Sequence, residues 1–287
     1  MPEVSTKTKT VSMMALQKSY ITSIGNGFED FLGKTNQYQA LCGYNVLNQI
    51  NVLLNKEGLK HTDKDKVDTE SINNAIKFAM FYELNTDNNE IFVILRNEKR
   101  ADGTYIKKVE CKPQYKGHLK ILADYGRDVV QIYPEWIVRE GDEFTYQTFK
   151  GIEVIPPTWT PKSQEGKVIR VVVPILKKTK TGTYVDYRIA ERESVATNIK
   201  AQIKQSLMFK KEECAKVMLL IKDMTLDQLI TDPAVKDYVN DTYTGISQEE
   251  MIITKLILNA TKRVGIDFKN AVIKEITEST YDNADVY

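Results

Sequence analysis

The chain has 287 residues, of which 42% are hydrophobic and 28% are charged, and its formal net charge is +1. That length allows one large domain or two small ones, each with an apolar core. No run approaches the roughly 18 apolar residues of a membrane span. The N-terminus lacks the apolar core of a signal peptide. The three cysteines are far apart, which argues against a disulfide framework or a zinc site and favours a reducing cytosol.

Charge is distributed unevenly along this nearly neutral chain. Residues 99–120 carry seven Lys/Arg against two acids, and residues 160–211 carry twelve against four. Residues 212–254 reverse the sign, with three Lys against nine acids. Two basic runs followed by an acidic segment favour an oriented electrostatic surface that suits a phosphate backbone. The alternative for any single run is ordinary solvated charge.

The chain begins with a polar stretch and continues with helical patterns. Residues 1–12 are rich in Thr and Lys and are predicted to be disordered. Apolar residues then recur at helical spacing over 13–56. A second helix is predicted near 68–83, with Asp68 or Thr69 as its cap.

The middle of the chain is predicted to be rich in strands. The expected hairpins are 91–95 with 105–109 through Asp102-Gly103, 129–138 with 143–149 around Glu140-Gly141, and 168–176 with 183–189. The loop 156–161 contains three prolines and cannot be a central strand. Helices return at 191–209, 212–222, 225–231 and 247–264.

This order predicts an α+β fold with a central antiparallel sheet of β-hairpins and a packed helix, flanked by N- and C-terminal helical regions. We expect one DNA-binding domain over residues 13–268, helical over 13–83, β-rich over 88–190 and helical again over 191–268. Residues 269–287 are expected to form a mobile tail.

One segment, residues 112–120, combines a helix start with a regular row of lysines. Pro113 suits the first turn of a helix, and Gly126 suits its end. Lys112, Lys116 and Lys120 follow at i, i+4 and i+8, so they are predicted to form one basic stripe.

The sequence offers little for covalent chemistry, and neither catalytic residues nor cofactors are predicted. Gly33-Lys34-Thr35 resembles the end of a phosphate-binding loop, but Phe28 stands where that motif needs glycine. A nuclease would need carboxylates for a divalent metal. Several acids at helix ends and turns could be recruited, namely Asp124, Asp128, Glu140, Asp142 and Glu143.

Binding chemistry is better represented, because many aromatic residues lie among the cations. Aromatic side chains stack on bases of any sequence, but they also fill cores and pair across strands. Three lysines, Lys177, Lys178 and Lys180, follow one another at a predicted hairpin tip. That tip is either a solubilising turn or a finger that grips phosphates.

Three segments carry a resemblance to a known family: residues 88–94 (NNEIFVI), 112–119 (KPQYKGHL) and 130–146 (VQIYPEWIVREGDEFTY). They resemble the RecT/Redβ family of phage single-strand annealing proteins. A second match begins at residues 249–251 (EEM) and includes Lys255, Ile257, Lys262 and Arg263. His118 and Leu119 stand where such chains usually have leucine and isoleucine, and residues 206–245 look longer than is typical.

The resemblance implies ATP-independent annealing of complementary strands by an oligomeric ring or filament, with DNA in a basic groove. It also implies a phage exonuclease and a host single-strand-binding protein as partners, and the cytoplasm of a bacterial host as the location. A metal-dependent nuclease and a structural or assembly protein remain alternatives. The residues expected to bind single-stranded or annealed DNA are Lys107, Lys108, Lys112, Tyr115, Lys116, Lys120, Arg127, Lys167, Arg170, Lys177, Lys178, Lys180, Arg188, Lys255, Lys262 and Arg263.

Overall fold

The computed structural model describes Lys18, residues 20–22, Ile24, and residues 35–162, 165–243, 248–268 and 271–280. Helices and antiparallel strands are both present, which confirms the α+β class. The chain divides into two compact units, residues 1–121 with 268–283 and residues 122–267 with 284–287. The single domain expected over 13–268 stays a prediction, and the disorder expected for 1–12 lies outside the described residues.

The helices are α1 (Gln37–Lys56), α2 (Thr69–Phe81), α3 (Tyr115–Tyr125), α4 (Glu193–Ser206), α5 (Lys211–Ile221), α6 (Leu226–Thr231), α7 (Gln248–Thr261) and α8 (Ala271–Thr280). The strands are β1 (Ile91–Lys99), β2 (Tyr105–Pro113), β3 (Val129–Ile132), β4 (Trp136–Arg139), β5 (Glu143–Thr145), β6 (Thr148–Lys150), β7 (Glu153–Ile155), β8 (Thr158–Thr160), β9 (Val168–Lys178) and β10 (Thr183–Glu191). No helix in the described ranges has both the length and the apolarity needed to cross a bilayer.

Side-chain caps fix the starts of the first two helices. Asn36 and Gln39 form a reciprocal capping box at α1, with N–H···O distances of 2.8 and 2.9 Å. The Asp68 carboxylate accepts the N–H groups of Glu70 and Ser71 at the start of α2, so the first of the two expected caps is confirmed. Each cap satisfies backbone donors that have no partner within the helix.

The first predicted hairpin is confirmed and is longer than expected. β1 pairs antiparallel with β2 over its full length, from Ile91 opposite Pro113 to Lys99 opposite Tyr105. Gly103 turns the chain with φ +86°, a conformation that glycine adopts without steric cost. The Val109 N–H donates to the Ser71 hydroxyl at 2.9 Å, which joins the hairpin to α2.

Helix α3 begins later than expected, and Pro113 does not open it. Pro113 is the last residue of β2 and lies opposite Ile91. Its missing N–H removes no ladder bond, because the neighbouring pair of Glu90 and Gln114 carries the hydrogen bond. The Gln114 N–H donates to the Glu90 carbonyl at 2.9 Å. A Cβ at Gly117 would lie 2.0 Å from that same carbonyl oxygen, so only glycine fits there.

The second unit contains a four-stranded sheet in which β9 pairs with β10, β3 and β4. The predicted hairpin of 168–176 with 183–189 is confirmed. The predicted hairpin of 129–138 with 143–149 is wrong. Its first half forms β3 and β4, and its second half pairs elsewhere, β5 with β8 and β6 with β7. The cause is β9, which is buried from Val171 to Ile175 and therefore takes strands on both edges.

The four helices predicted between 191 and 264 are confirmed as α4 to α7, and α7 packs on β9 and β10. The mobility expected for 269–287 stays a prediction. Within that segment residues 271–280 form α8, in which Ile273 and Ile276 are buried and the Thr277 hydroxyl lies 2.8 Å from the Tyr82 hydroxyl. The isoleucines at i and i+3 give this polar segment one apolar face. Residues 281–287 lie outside the described residues.

Candidate nucleic-acid interface

The predicted lysine stripe is not one surface. Lys112 lies in β2 rather than on α3, and its Nζ is 3.8 Å from Glu110 Oε2. Lys120 is on α3, but its Nζ donates to the Glu83 carbonyl and lies 5.3 Å from the Tyr38 ring centre. Only Lys116 of the three is exposed. The stripe prediction is wrong because β2 continues through Pro113 and because Lys120 folds back onto its own unit.

Other predicted cations of the first unit are paired with acids. Lys107 forms an ion pair with Glu57, and Lys108 Nζ lies 3.3 Å from Glu98 Oε1. Tyr115 is half-buried at the start of α3. These contacts satisfy much of the positive charge that the sequence concentrates in residues 99–120.

The second unit shows the same pairing around β9 and β10. Asp186 accepts from both Lys177, at 3.4 Å, and Arg188, at 2.7 Å. Arg127 Nε donates to the Asp267 carboxylate at 2.9 Å. Asp186 holds Lys177 and Arg188 along the strands, and the three side chains together carry a charge of only +1.

Asp227 links two further cations. It accepts from Lys167 and from Arg192, each at 2.9 Å. Burial raises the pKa of Asp227, but these two hydrogen bonds outweigh it and bring the pKa below its usual value. Arg192 is itself buried and also donates to Glu249 on α7 at 3.2 Å. Glu249 therefore fastens α7 to the end of β10, in addition to suiting the helix N-terminus.

The end of the β9–β10 hairpin keeps its positive charge exposed. Lys178 and Lys180 are exposed and have no acidic partner among the described residues. Thr179 holds this turn in place, since its N–H donates to the Gly182 carbonyl at 2.7 Å and its hydroxyl accepts the Gly182 N–H at 3.1 Å. Tyr184, which is 49% exposed, lies in the adjoining strand opposite Lys177. The turn thus presents two cations and one aromatic ring to solvent.

The cations of the last predicted segment lie in different environments. Lys255 on α7 is half-buried, and burial lowers its pKa. Lys262 and Arg263 follow the last helical residue, and Arg263 is exposed while Lys262 is half-buried. Of these three side chains, only Arg263 is fully available to an external anion.

The second unit contains an aromatic cluster that the sequence did not predict. The rings of Trp136 and Trp159 stack at a centroid distance of 6.0 Å with 25° between their planes, and Tyr187 lies 5.7 Å from Trp136. Trp136 comes from β4, Trp159 from β8 and Tyr187 from β10. The three residues lie in strands that are far apart in the sequence, so only the tertiary structure brings their rings together.

Arg170 occupies a second aromatic contact nearby. Its guanidinium carbon lies 4.5 Å from the Phe144 ring centre and 4.8 Å from that of Tyr146. Glu191 accepts from Arg170 Nε at 3.2 Å and from the Tyr146 hydroxyl at 2.7 Å. Phe144 and Tyr146 are two residues apart, and this spacing places side chains on the same face of an extended chain. The spacing was the sequence signal for this contact.

Carboxylates considered for a metal site have structural contacts. Asp142 accepts from Trp159 Nε1 at 3.0 Å and from two backbone N–H groups, and Glu143 pairs with Lys162 at 2.8 Å. Among the described residues, no three His, Cys, Asp or Glu side chains are grouped so that they could hold a metal ion.

Comparison with known proteins gives one match. Residues 45–211, more than half of the chain, match the RecT family. The match begins within α1, earlier than the resemblance read from residue 88, and it ends at the start of α5, so the segment from 249 lies outside it. No curated protein and no solved structure matches the chain.

Proposed function

The chain belongs to the RecT family, whose members anneal DNA single strands in recombination, and from this premise we propose that it does so without ATP and as a multimer. Each copy contributes exposed cations for phosphates and aromatic rings for bases. Many weak contacts along a long strand then act together at high effective concentration. The proposed location is the bacterial cytoplasm, and the proposed partners are a phage exonuclease and a host single-strand-binding protein.

The observation that carries the proposal is the end of the β9–β10 hairpin. Lys178 and Lys180 lie on a turn fixed by Thr179, and both are exposed without an acid beside them in the described part of the chain. A lysine that neutralises a phosphate releases a bound counterion, which favours binding regardless of sequence. Of the two interpretations of this turn, the proposal adopts the one that grips phosphates.

The two aromatic groups support the same proposal. Trp136 and Trp159 of the cluster, and Tyr146 beside Arg170, are only partly covered, so bases have rings to stack on. Stacking of a base on an aromatic side chain contributes roughly 1–3 kcal/mol and tolerates any base. Annealing needs this tolerance, because the protein must hold every sequence while base pairing between the strands supplies the specificity.

No covalent step is required for this activity. Two strands held extended, with bases accessible, pair if they are complementary and separate if they are not. Exposed Lys116 and Arg263 are proposed as further phosphate contacts on their own units. The remaining DNA-binding assignments stay predictions, and those with acidic partners have a stabilising role as well.

The test mixes two complementary oligonucleotides, one with a fluorophore and one with a quencher, and adds the full chain without nucleotide. We expect duplex formation to accelerate with complementary strands and to remain at the background rate with scrambled ones. An absolute requirement for ATP would overturn the proposal. Magnesium-dependent cutting of the oligonucleotides would instead favour a nuclease, and multimers that ignore single strands would favour an assembly protein.

A further inference from the structure

A row of aromatic rings crosses the second unit, and we call it the aromatic stripe; its members are Tyr187, Trp136, Trp159, Phe144 and Tyr146. Ring centres are 5.7 Å apart from Tyr187 to Trp136, 6.0 Å from Trp136 to Trp159 and 5.1 Å from Phe144 to Tyr146. Trp159 lies directly opposite Phe144 in the β5–β8 pair, which places both side chains on one face. Each of these residues is half-buried or exposed, so the stripe is not part of the core.

Asp142 lies at the turn that leads into the aromatic stripe. Gly141 turns the chain with φ +91°, and the Asp142 N–H donates to the Arg139 carbonyl at 3.1 Å. The Asp142 carboxylate accepts the Arg139 N–H at 2.9 Å and, from just beyond β8, the Lys162 N–H at 2.9 Å. The side chain therefore ties the start of β5 to the chain that leaves β8.

The same carboxylate fixes one ring of the stripe. Trp159 Nε1 donates to Asp142 Oδ2 at 3.0 Å, and this N–H is the only hydrogen-bond donor of an indole ring. With that edge fixed, the Trp159 ring lies at 25° to the Trp136 ring. β5 and β8 pair only with each other among the described residues, and a two-stranded ribbon is marginally stable alone. Backbone pairing by itself would therefore leave the Trp159 ring loosely held.

We propose that Asp142 is a positioning residue for DNA binding, which holds Trp159 so that the aromatic stripe offers unpaired bases a preformed surface for stacking. A ring that is already held in one orientation loses little rotamer entropy when a base stacks on it, so fixing the ring increases affinity. This inference rests on the proposed function and names the residue that prepares its base-binding surface.

The charges beside the aromatic stripe favour bases over phosphates as its ligand. The guanidinium carbon of Arg170 lies 4.5 Å from the Phe144 ring centre, but this cation is paired with Glu191 at 3.2 Å. Asp142 adds a negative charge, which repels phosphates. Asp142 therefore acts through Trp159 and not as a DNA contact of its own.

The test compares variants of the full chain on two single strands of equal length and charge, a normal oligonucleotide and one built of abasic sites, which has phosphates without bases. Asp142→Ala removes the acceptor of Trp159, whereas Asp142→Asn removes the same charge and keeps an oxygen that can accept from Trp159. Thr145→Val is the control for the β5–β8 pair, because it removes the contact of 2.6 Å between the Thr145 and Thr158 hydroxyls and leaves Trp159 in place. Circular dichroism confirms folding, and fluorescence anisotropy gives the affinities.

We expect Asp142→Ala to bind the normal strand at least about five-fold more weakly than the wild type does, and to bind the abasic strand within about two-fold. Asp142→Asn and Thr145→Val should keep the wild-type preference for the normal strand. The change in tryptophan emission on binding should also shrink in Asp142→Ala alone, since both tryptophans of the chain belong to the stripe. If Asp142→Ala does not fold, Trp159→Phe takes its place, because it keeps a ring without the donor and should show the same loss.

Several outcomes would overturn the positioning role of Asp142. They are an unchanged preference for the normal strand in Asp142→Ala, an equal loss on both strands, and a loss of the same size in Asp142→Asn or Thr145→Val. Equal binding of the two strands by the wild type would also overturn this role, but it would leave the proposed function standing if annealing is still accelerated without ATP. Absence of annealing by a wild type that prefers the normal strand would instead overturn the proposed function alone.

Discussion

The Lys120 ammonium group donates a hydrogen bond of 2.5 Å to the backbone carbonyl of Glu83. Glu83 has φ +52°, a left-handed conformation that costs a non-glycine residue free energy. The same ammonium lies 3.7 Å from the Glu90 carboxylate. Lys120 thus stabilises the turn after α2 from a position on α3, and its charge serves the fold of the first unit.

Substitutions of Lys116 and Lys120 should therefore have different effects on the free energy of unfolding. Lys120→Met keeps the apolar stem but removes the donor, and we expect it to lower the free energy of unfolding by about 1–2 kcal/mol. Lys116→Ala changes an exposed side chain and should stay within about 0.5 kcal/mol of the wild type. Urea denaturation followed by circular dichroism measures both. Equal stability of the two variants would contradict the role given to Lys120.

Lys178 and Lys180 should determine part of the salt dependence of DNA binding. Replacing both by alanine is expected to weaken binding of single strands to a similar extent for all sequences. The slope of log affinity against log salt should shrink by up to ~0.7 per lost phosphate contact. Fluorescence anisotropy of a labelled oligonucleotide at several salt concentrations gives this slope. Lys236→Ala, an exposed lysine in the acidic segment, is the control and should leave the slope unchanged.

The two tryptophans provide an intrinsic probe of base stacking, because the chain has no others and both belong to the same cluster. We expect single-stranded DNA to change the tryptophan emission, and Trp159→Ala to weaken binding by about 1–3 kcal/mol. Trp159→Phe keeps a ring but loses the donor to Asp142, so it separates stacking from that hydrogen bond. Unchanged emission at saturating DNA, with normal binding by Trp159→Ala, would exclude the cluster as a stacking site.

His118 should make stability depend on pH. Burial lowers the pKa of His118 to about 4, against 6.5 for an ordinary histidine. The folded chain therefore binds fewer protons than the unfolded chain between these values. The stabilisation is complete above pH 6.5 and is lost as pH falls towards 4, by a total of ~3 kcal/mol.

His118→Leu should flatten that dependence, as measured by urea unfolding at successive pH values. The variant replaces the imidazole with an apolar side chain that does not titrate. The chain has only one other histidine, His61, whose pKa is also lowered by burial. His61→Asn is thus the control, and most of the dependence of the free energy of unfolding on pH should remain in that variant. A slope unaffected by His118→Leu would show that another group titrates.

Local patterns predicted the elements whose signals are short-range. Periodicity and the Asp68 cap located α2, and the glycine turn at 103 located the first hairpin. The partners of β3 and β5 were not predictable in this way, because they lie more than ten residues away and depend on β9 and β8. The pairing of β3 with β9 depends on the burial of β9 in the sheet, which is a tertiary property and leaves no local signal.

In the candidate site, too, the sequence predicted short-range features and missed long-range contacts. The exposed turn with Lys178 and Lys180 followed from the sequence, but the number of acids nearby in the chain did not reveal ion pairs across strands and helices. Lys107 pairs with Glu57, and Lys167 pairs with Asp227, in both cases at separations of fifty residues or more. The net charge of a run therefore overstated the cations that remain free for DNA.

Gly117 shows that residues 112–119, which carry part of the family resemblance, include a residue required by packing. It lies between Lys116 and His118, yet the backbone of Glu90 approaches it so closely that any side chain would collide. A relative that kept this glycine but lost every DNA contact would still be recognised by the same letters. The segment thus records the close packing of the β1–β2 hairpin against α3. A match to this segment indicates a shared fold and does not by itself indicate DNA binding. We expect activity to depend instead on exposed side chains such as that of Lys178.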